Sequence, residues 1–231
     1  MKTIQPQPSL TEQVYDAIAD EICDGALPAG SHLVQEQLAA KLGVSRQPIQ
    51  QAMALLKADG MVEEIGRRGL SVTPLDLDLM RHHYDIRSAL DGLAARMTAT
   101  KARDVPGAAQ TIEKQGQVIL RLGEAAVERG VVGDQVRHDE ALHRLFYESS
   151  DNPLLAGTAE PHWRFLRRAM GAVLRHAELP GDIWRQHAEI LEAVVAGDPP
   201  RAEALIIAHD LEAAEALHAA LAERPAAASG N

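Results

Sequence analysis

Two pairs of residues have the types and the spacing of metal ligands. Asp139 and His143 stand at positions i and i+4, which puts both side chains on one face of a helix. His187 lies ten residues before Gly197, and His209 lies ten residues after Pro199. If two antiparallel helices meet at that turn, both imidazoles stand about three turns from it, at the same height. Three imidazoles and one carboxylate then favour a divalent-metal site, and the alternative is four unrelated residues on solvated helix faces.

The composition indicates a mainly helical protein. Of 231 residues, 46% are hydrophobic but only 3% are aromatic, so the apolar part is mostly Ala, Leu, Val and Ile. Ala and Leu favour helices. There is no run of eighteen apolar residues and no secretory signal, so we expect a cytoplasmic protein without a membrane span. The single Cys23 excludes an intramolecular disulfide, and the net charge of −10 argues against a protein that coats nucleic acid.

The first 74 residues predict a small domain of three helices and a hairpin. Apolar spacing and breakers such as Gly43 place the helices at about 9–25, 35–42 and 46–58, with Ser45 as an N-cap. The strands are expected at 61–65 and 69–73. The second and third helices, joined by a tight turn, match a helix-turn-helix, and the hairpin follows as a wing.

The remaining chain predicts an all-helical bundle. Six helices are expected, at about 76–101, 104–128, 132–149, 152–176, 181–196 and 200–223. The domains are then 1–74 and 75–224, and the tail 225–231 is expected to be disordered. The fold class is mainly α, with an N-terminal winged helix-turn-helix and a C-terminal bundle.

Two groups of motifs resemble one known family. The segment 38–52, with Gly43-Val-Ser-Arg46, and the later Gly66-Arg-Arg-Gly69 resemble the winged helix-turn-helix of GntR-family transcription regulators. The second half resembles their FCD-type (FadR C-terminal domain) effector domain. This similarity rests on four segments: Ile86-Arg-Ser-Ala-Leu-Asp91, Asp139-x-x-x-His143, Ser150-Asp-Asn-Pro153, and the stretch from His187 to Gly197-Asp198 with the later His209. Six helices rather than seven make the bundle similar to the VanR-type branch.

The resemblance implies a set of DNA contacts. The N-terminal residues of a recognition helix meet base edges or phosphates, and an Arg there can bind guanine O6 and N7. The expected contact residues are Ser45, Arg46, Gln47, Gln50, Arg67 and Arg68. The alternatives are a solvated charge at Arg46 and a solvated hairpin tip at Arg67 and Arg68.

Two positions depart from the family pattern. The family commonly has an Arg early in the first motif helix and another in the recognition helix, where this chain has Glu36 and Gln50. Glu36 repels phosphate, whereas Gln50 can still read adenine. Residues 1–75 carry six basic and nine acidic residues, a net charge of −3. We therefore expect few phosphate contacts and a shallow salt dependence, with an unusual operator or a strong reliance on dimer pairing.

The resemblance also implies a metal and an effector site in the bundle. Asp139, His143, His187 and His209 would bind one divalent transition metal, with Zn²⁺ first and Ni²⁺ or Mn²⁺ as alternatives. Arg87 matches a position that points toward the cavity, where it would bind a carboxylate effector, and its alternative is a surface ion pair with Asp91. Arg137 and Arg164 are further cavity candidates, placed by helical adjacency. Four further histidines, His138, His162, His176 and His218, are expected to be solvated or structural.

Three functions remain open. The first is a homodimeric repressor that binds a palindromic operator and responds to a small organic acid in a metal-containing cavity. The second is a metal-dependent enzyme, although no general base stands out beside the four ligands. The third is a metal-binding sensor whose DNA binding has been lost, which the acidic N-terminal domain keeps open.

Overall fold

The chain divides into two compact units. The computed structural model describes residues 9–66, 69–175 and 182–222. The first unit ends at Leu75, and the second begins at Asp76. Among the described residues, no helix is both long enough and apolar enough to cross a membrane.

The first unit is a three-helix domain with a hairpin. Its elements are α1 (Leu10–Cys23), α2 (Gln35–Leu42), α3 (Arg46–Ala58), β1 (Val62–Ile65) and β2 (Gly69–Val72). The strands pair antiparallel, with Val62 opposite Val72 and Ile65 opposite Gly69. Gly43 ends α2 with a positive φ of 66°, which allows the sharp turn into α3. This is the predicted helix-turn-helix followed by a hairpin.

The core of this unit decides which face of α3 is free. Helix α1 begins with a capping box between Ser9 and Glu12 and buries one apolar face. Helix α3 packs on α1 and buries five residues: Pro48, Ile49, Ala52, Met53 and Leu56. Arg46, Gln47 and Gln50 are therefore left exposed along the opposite face. Ser45 is the N-cap residue, but its side chain makes no capping hydrogen bond.

Over its described residues, the second unit contains six helices. They are α4 (Leu77–Asp104), α5 (Ala108–Glu128), α6 (Val132–Ser149), α7 (Leu155–Leu174), α8 (Ile183–Val195) and α9 (Pro199–Ala222). Helix α4 contacts each of the other five and forms the centre of the bundle. Its inward face carries buried polar residues as well as apolar ones, namely Arg87, Ser88, Asp91 and Thr98. The helical bundle thus has a polar interior on one side of α4.

The predicted boundaries of the bundle helices differ from the observed ones at three turns. Helix α4 continues to Asp104, and α5 starts only at Ala108, because Pro106 and Gly107 (φ 82°) form the turn between them. Helix α7 starts later than predicted because Asp151 has a φ of 61° and Asn152 accepts a hydrogen bond from Leu154 N. Pro199 and Pro200 lie in the first turn of α9, where a missing N–H costs little. The predicted tail, 225–231, lies outside the described residues.

Helix α8 packs against α5 at two glycines. A Cβ on Gly116 would lie 2.5 Å from Leu191, and a Cβ on Gly123 would lie 1.9 Å from the Trp184 ring. Trp184 in turn meets the His187 ring edge-on, with ring centroids 5.0 Å apart. The lack of a side chain at Gly123 therefore allows the close approach that positions one of the predicted metal ligands.

Gly123→Ala is expected to destabilise the bundle, because the new methyl group would overlap the Trp184 ring. Overpacking of this kind costs about 1–3 kcal/mol. The matched control is Gly157→Ala in α7, where a Cβ would meet nothing within 4 Å. That change should stabilise the chain by roughly 0.4–1 kcal/mol, since alanine restricts the unfolded chain. Urea denaturation of both variants measures the difference, and equal stabilities would contradict the packing described for Gly123.

Candidate metal centre

The four predicted metal ligands converge in the interior of the second unit. Asp139 and His143 come from α6, His187 from α8 and His209 from α9. One ligand atom from each lies within 4.8 Å of the others, and all four residues are buried. His187 Nε2 lies 3.1 Å from His209 Nε2 and 3.3 Å from Asp139 Oδ1. Three helices thus bring three nitrogens and one oxygen into one small volume.

Local backbone geometry explains this convergence. Asp139 and His143 are one turn apart, so both face the same side of α6. Gly197, with a φ of 66°, ends α8 and lets α9 fold back to pack against it. His187 and His209 are then at matching distances from this turn. The four residues meet because one helical spacing and one tight turn act together.

Two of the three imidazoles are oriented by acceptors outside the cluster. His143 Nδ1 lies 2.9 Å from Asp91 Oδ2, and His209 Nδ1 lies 2.8 Å from Gln186 Oε1. If each Nδ1 carries the proton and donates it to that oxygen, the lone pair is on each Nε2. At His143 this nitrogen lies 3.0 Å from Arg87 Nη2, a contact that a bound metal would replace. Outer acceptors of this kind fix the tautomer and ring orientation of metal-binding histidines.

The cluster has polar atoms that protein groups leave unsatisfied. Among the described residues, Asp139 Oδ2 and His187 Nδ1 are buried and have no hydrogen-bond partner. An unsatisfied buried polar atom is costly, so a cluster that contains two of them is incomplete on its own. A divalent cation that accepts mixed nitrogen and oxygen ligands fits this donor set.

The protonation states also suit a cation. Burial alone would raise the pKa of Asp139, but the hydrogen bond from His187 and the nearby charges of His187, His143 and Arg87 lower it below the usual range. Burial lowers the pKa of His143, and burial with the neighbouring His187 and His143 lowers the pKa of His209 well below its usual value. Metal ligands must be deprotonated, and the lowered pKa values of Asp139, His143 and His209 favour that form.

Arg87 lies directly beside the cluster and is buried. Its Nη2 lies 3.0 Å from His143 Nε2, and its guanidinium carbon lies 3.9 Å from the centre of the Trp163 ring. Its Nε donates to Asp91 Oδ2 at 3.0 Å. Arg87 is 1% exposed and Asp91 is fully buried, so the alternative of a surface ion pair is wrong. The Arg87–Asp91 ion pair is present, but it lies in the interior of the helical bundle.

Among the residues around Arg87, Asp91 was predicted from the sequence as its ion-pair partner, whereas Tyr147, Trp163 and Asp210 were not. Asp91 accepts hydrogen bonds from Tyr147 as well as Arg87, and Trp163 Nε1 donates to the Tyr147 hydroxyl at 3.1 Å. Asp210 Oδ1 lies 2.8 Å from Arg87 Nη2, at an angle that makes no hydrogen bond. Burial and the nearby Asp91 raise the pKa of Asp210 well above its usual value. Asp91 is thus the hydrogen-bonded partner of Arg87, whereas Asp210 lies close to the guanidinium without a hydrogen bond.

Two other predicted cavity residues are not part of the cluster. Arg137 is exposed and pairs with Asp134, because its position on α6 faces solvent. Arg164 pairs with Glu160 on its own helix at 3.3 Å. His162, for which no role was predicted, contacts His83 with 3.0 Å between their Nδ1 atoms, and His176 lies outside the described residues. We therefore leave Arg137 and Arg164 out of the effector site.

The predicted DNA contacts are exposed where the structure describes them. Ser45, Arg46, Gln47 and Gln50 lie at or near the N-terminal end of α3 and are exposed. Arg67 and Arg68 lie outside the described residues. Arg46 Nη2 forms an ion pair with Glu36 on α2, a residue that was expected from the sequence only to repel phosphate.

Comparisons with known proteins identify similar chains. Residues 82–213 match the FCD domain family, and residues 10–72 match the family described as bacterial regulatory proteins, gntR family. The HTH-type transcriptional regulator YdhC of Bacillus subtilis, whose role is uncharacterized, is 30% identical over 203 residues, covering 85% of this chain and 86% of YdhC. The HTH-type transcriptional repressor RspR of Escherichia coli is 23% identical over 214 residues, covering 93% of this chain and 91% of RspR.

A solved structure has the same fold. McbR/YncC of E. coli superposes with a TM-score of 0.79 at 19% identity, covering 92% of this chain and 99% of that protein.

The matched families and the named relatives are transcription regulators and not enzymes. The hypothesis of a metal-dependent enzyme is therefore set aside.

Arg87→Met is expected to destabilise the second unit strongly, because it leaves Asp91 buried without its guanidinium. Breaking a buried ion pair on one side costs about 3–5 kcal/mol. Arg137→Met is the matched control, since it removes the same charge from an exposed position and should change stability by less than about 0.5 kcal/mol. Equilibrium denaturation in urea compares the two, and similar losses in both variants would contradict a structural role for the Arg87–Asp91 pair.

Proposed function

The chain belongs to the gntR family of bacterial regulatory proteins and carries an FCD domain, and we propose that it is a repressor controlled by a small organic acid. The observation that carries this proposal is the convergence of Asp139, His143, His187 and His209 inside the FCD domain. A buried group of possible metal ligands, in a chain that also has a DNA-binding unit, suits a protein that senses a small molecule and responds through DNA. The six helices that the structure describes in the second unit are consistent with a VanR-type regulator, which we include in the proposal.

The four converging residues would hold one divalent metal, with Zn²⁺ as the first candidate and Ni²⁺ or Mn²⁺ as alternatives. No thiolate lies in the donor set, so ligand softness does not select among these ions. When bound, the metal supplies a positive centre that attracts carboxylate oxygens. Asp91 and Gln186 would keep His143 and His209 in the orientation that binding requires.

Arg87 would supply the second contact to a carboxylate effector. Its guanidinium lies beside His143, and charge-assisted fork geometry favours carboxylates. Asp210 lies near this guanidinium without a hydrogen bond, so the effector carboxylate would make a contact that Asp210 leaves unmade. Arg87 thus combines a structural pair with Asp91 and a proposed binding role toward the effector.

The working assembly would be a homodimer on a palindromic operator in the bacterial cytoplasm. Dimeric helix-turn-helix regulators insert one recognition helix per half-site, with half-sites about one helical turn apart. In this chain α3 is the recognition helix, and Ser45, Arg46, Gln47 and Gln50 are the proposed contacts, with Arg67 and Arg68 from the hairpin tip. An effector would change DNA affinity only by binding one conformational state better than another.

The purified chain is expected to carry about one equivalent of a divalent transition metal per chain. His143→Ala/His187→Ala should abolish the metal and lower the unfolding temperature, because a ligand bound only to the native state stabilises it. The matched control is His138→Ala, which removes a histidine from the same helix beside Asp139 and should retain the metal. Elemental analysis by mass spectrometry gives the stoichiometry, and full metal content in the double variant would rule out this site.

Arg46→Ala is expected to weaken binding to a duplex selected by the wild-type chain from random DNA. A bidentate Arg–guanine contact provides about 1–3 kcal/mol of discrimination per base. Lys57→Ala, in the last turn of the same helix, is the matched control and should have a smaller effect. Fluorescence anisotropy measures both, and wild-type affinity in Arg46→Ala would mean that α3 reads DNA through other residues.

The same complex reports on the effector. Small organic acids added to the wild-type complex should include at least one that releases the duplex. The metal-free His143→Ala/His187→Ala variant should bind the duplex and fail to respond to that acid. An unchanged response in that variant would separate effector sensing from the four converging residues.

A further inference from the structure

The described cations of the first unit are each paired with a glutamate from a different element. Lys41 on α2 lies 2.5 Å from Glu21 on α1, and Lys57 on α3 lies 2.6 Å from Glu64 on β1. Arg46 on α3 pairs with Glu36 on α2. Each of these three described basic side chains is therefore already paired with a carboxylate of the same unit.

The Glu36–Arg46 pair is the one at the start of the recognition helix. Glu36 lies in the first turn of α2, and Arg46 is the first residue of α3. Both side chains are 67% exposed, so neither is removed from solvent by the pairing. A DNA backbone that approaches Arg46 must therefore also approach the Glu36 carboxylate.

Phosphates and base edges respond differently to this carboxylate. A phosphate is an anion, so it competes with Glu36 for the guanidinium and is repelled by it. Guanine O6 and N7 are neutral acceptors and meet much weaker repulsion. An arginine has five N–H donors, so one edge of the guanidinium can stay on Glu36 while another reads a base. The pair thus penalises backbone contacts more than base contacts.

We propose that Glu36 is a specificity-determining residue, which lowers the affinity of Arg46 for DNA of arbitrary sequence and leaves base reading intact. The inference rests on the proposed role of α3 as the recognition helix. Non-specific binding comes almost entirely from phosphate contacts, so a carboxylate at this point acts chiefly on that part of the affinity. Glu36 is a positioning residue, because it acts on DNA through Arg46.

Glu36→Gln tests this role with a labelled random-sequence duplex of about 30 base pairs. The variant should bind this duplex roughly three- to tenfold tighter than the wild-type chain near 0.1 M salt. This range assumes that each subunit gains about the free energy of one exposed ion pair when Arg46 is freed to meet a phosphate. The plot of log affinity against log salt should steepen by about 0.9 for each additional phosphate that the variant neutralises. A duplex selected by the wild-type chain should show a smaller increase in affinity, so the ratio of selected to random binding should fall.

Glu21→Gln is the matched control, because it removes the same charge from an equivalent ion pair and leaves Arg46 paired. It should leave the salt dependence close to that of the wild-type chain. A second control repeats Glu36→Gln in an Arg46→Gln background, where most of the increase in affinity should disappear and only the direct repulsion between Glu36 and phosphate is relieved. This background also separates an effect on DNA from an effect on folding, since both changes are at exposed positions.

The outcomes distinguish this inference from the proposed function. If Glu36→Gln and Glu21→Gln bind the random duplex with equal affinity and equal salt dependence, Glu36 has no special role. An increase in affinity of undiminished size in the Arg46→Gln background would also overturn the proposal, because Glu36 would then act without Arg46. If the wild-type chain binds no duplex even at low salt, the proposed DNA-binding function itself fails.

Discussion

The buried pair of Arg87 and Asp91 is the interaction on which the second unit depends. A charge in the interior is tolerated only when an opposite charge and hydrogen bonds compensate it, and here Asp91 receives bonds from Arg87, Tyr147 and His143. The same carboxylate therefore stabilises the guanidinium and orients a proposed metal ligand. Because Arg87 and Asp91 both lie on α4, which contacts every other helix of the bundle, packing and site geometry are fixed by the same residues.

Spacing in the sequence was sufficient to predict the helices and the four converging residues. Helical periodicity places Asp139 and His143 on one face, and a Gly-Asp-Pro-Pro turn brings His187 and His209 to one level. The acceptors behind them could not be predicted this way. Asp91 and Gln186 act through contacts between helices, and only adjacency to Arg87 and His187 hinted at them. Arg137 was misassigned because neighbouring residues on a helix point about 100° apart, so nearness in sequence does not imply a shared face.

The two units use carboxylates in opposite ways. In the bundle, Asp91 and Asp139 are buried and organise positive groups around a fixed point. In the helix-turn-helix unit, Glu21, Glu36 and Glu64 are at least partly exposed and neutralise basic side chains in contact with water. Buried pairs resist displacement, whereas exposed pairs exchange easily with other ions. An acidic composition is unusual for a DNA-binding protein. It is compatible with one whose attraction to DNA is selective for sequence rather than strong for DNA in general.

The contact of α8 with α5 also limits how His187 can move. Trp184 packs on Gly123 and Leu191 packs on Gly116, seven residues apart on each helix and in opposite chain directions. Two bulky side chains seated at two glycines prevent α8 from translating along α5 without steric overlap. Rotation of α8 about its own axis would also drive both side chains into the neighbouring turns. His187 lies between Trp184 and Leu191 on α8, so the two contacts that prevent sliding also fix its position along the bundle.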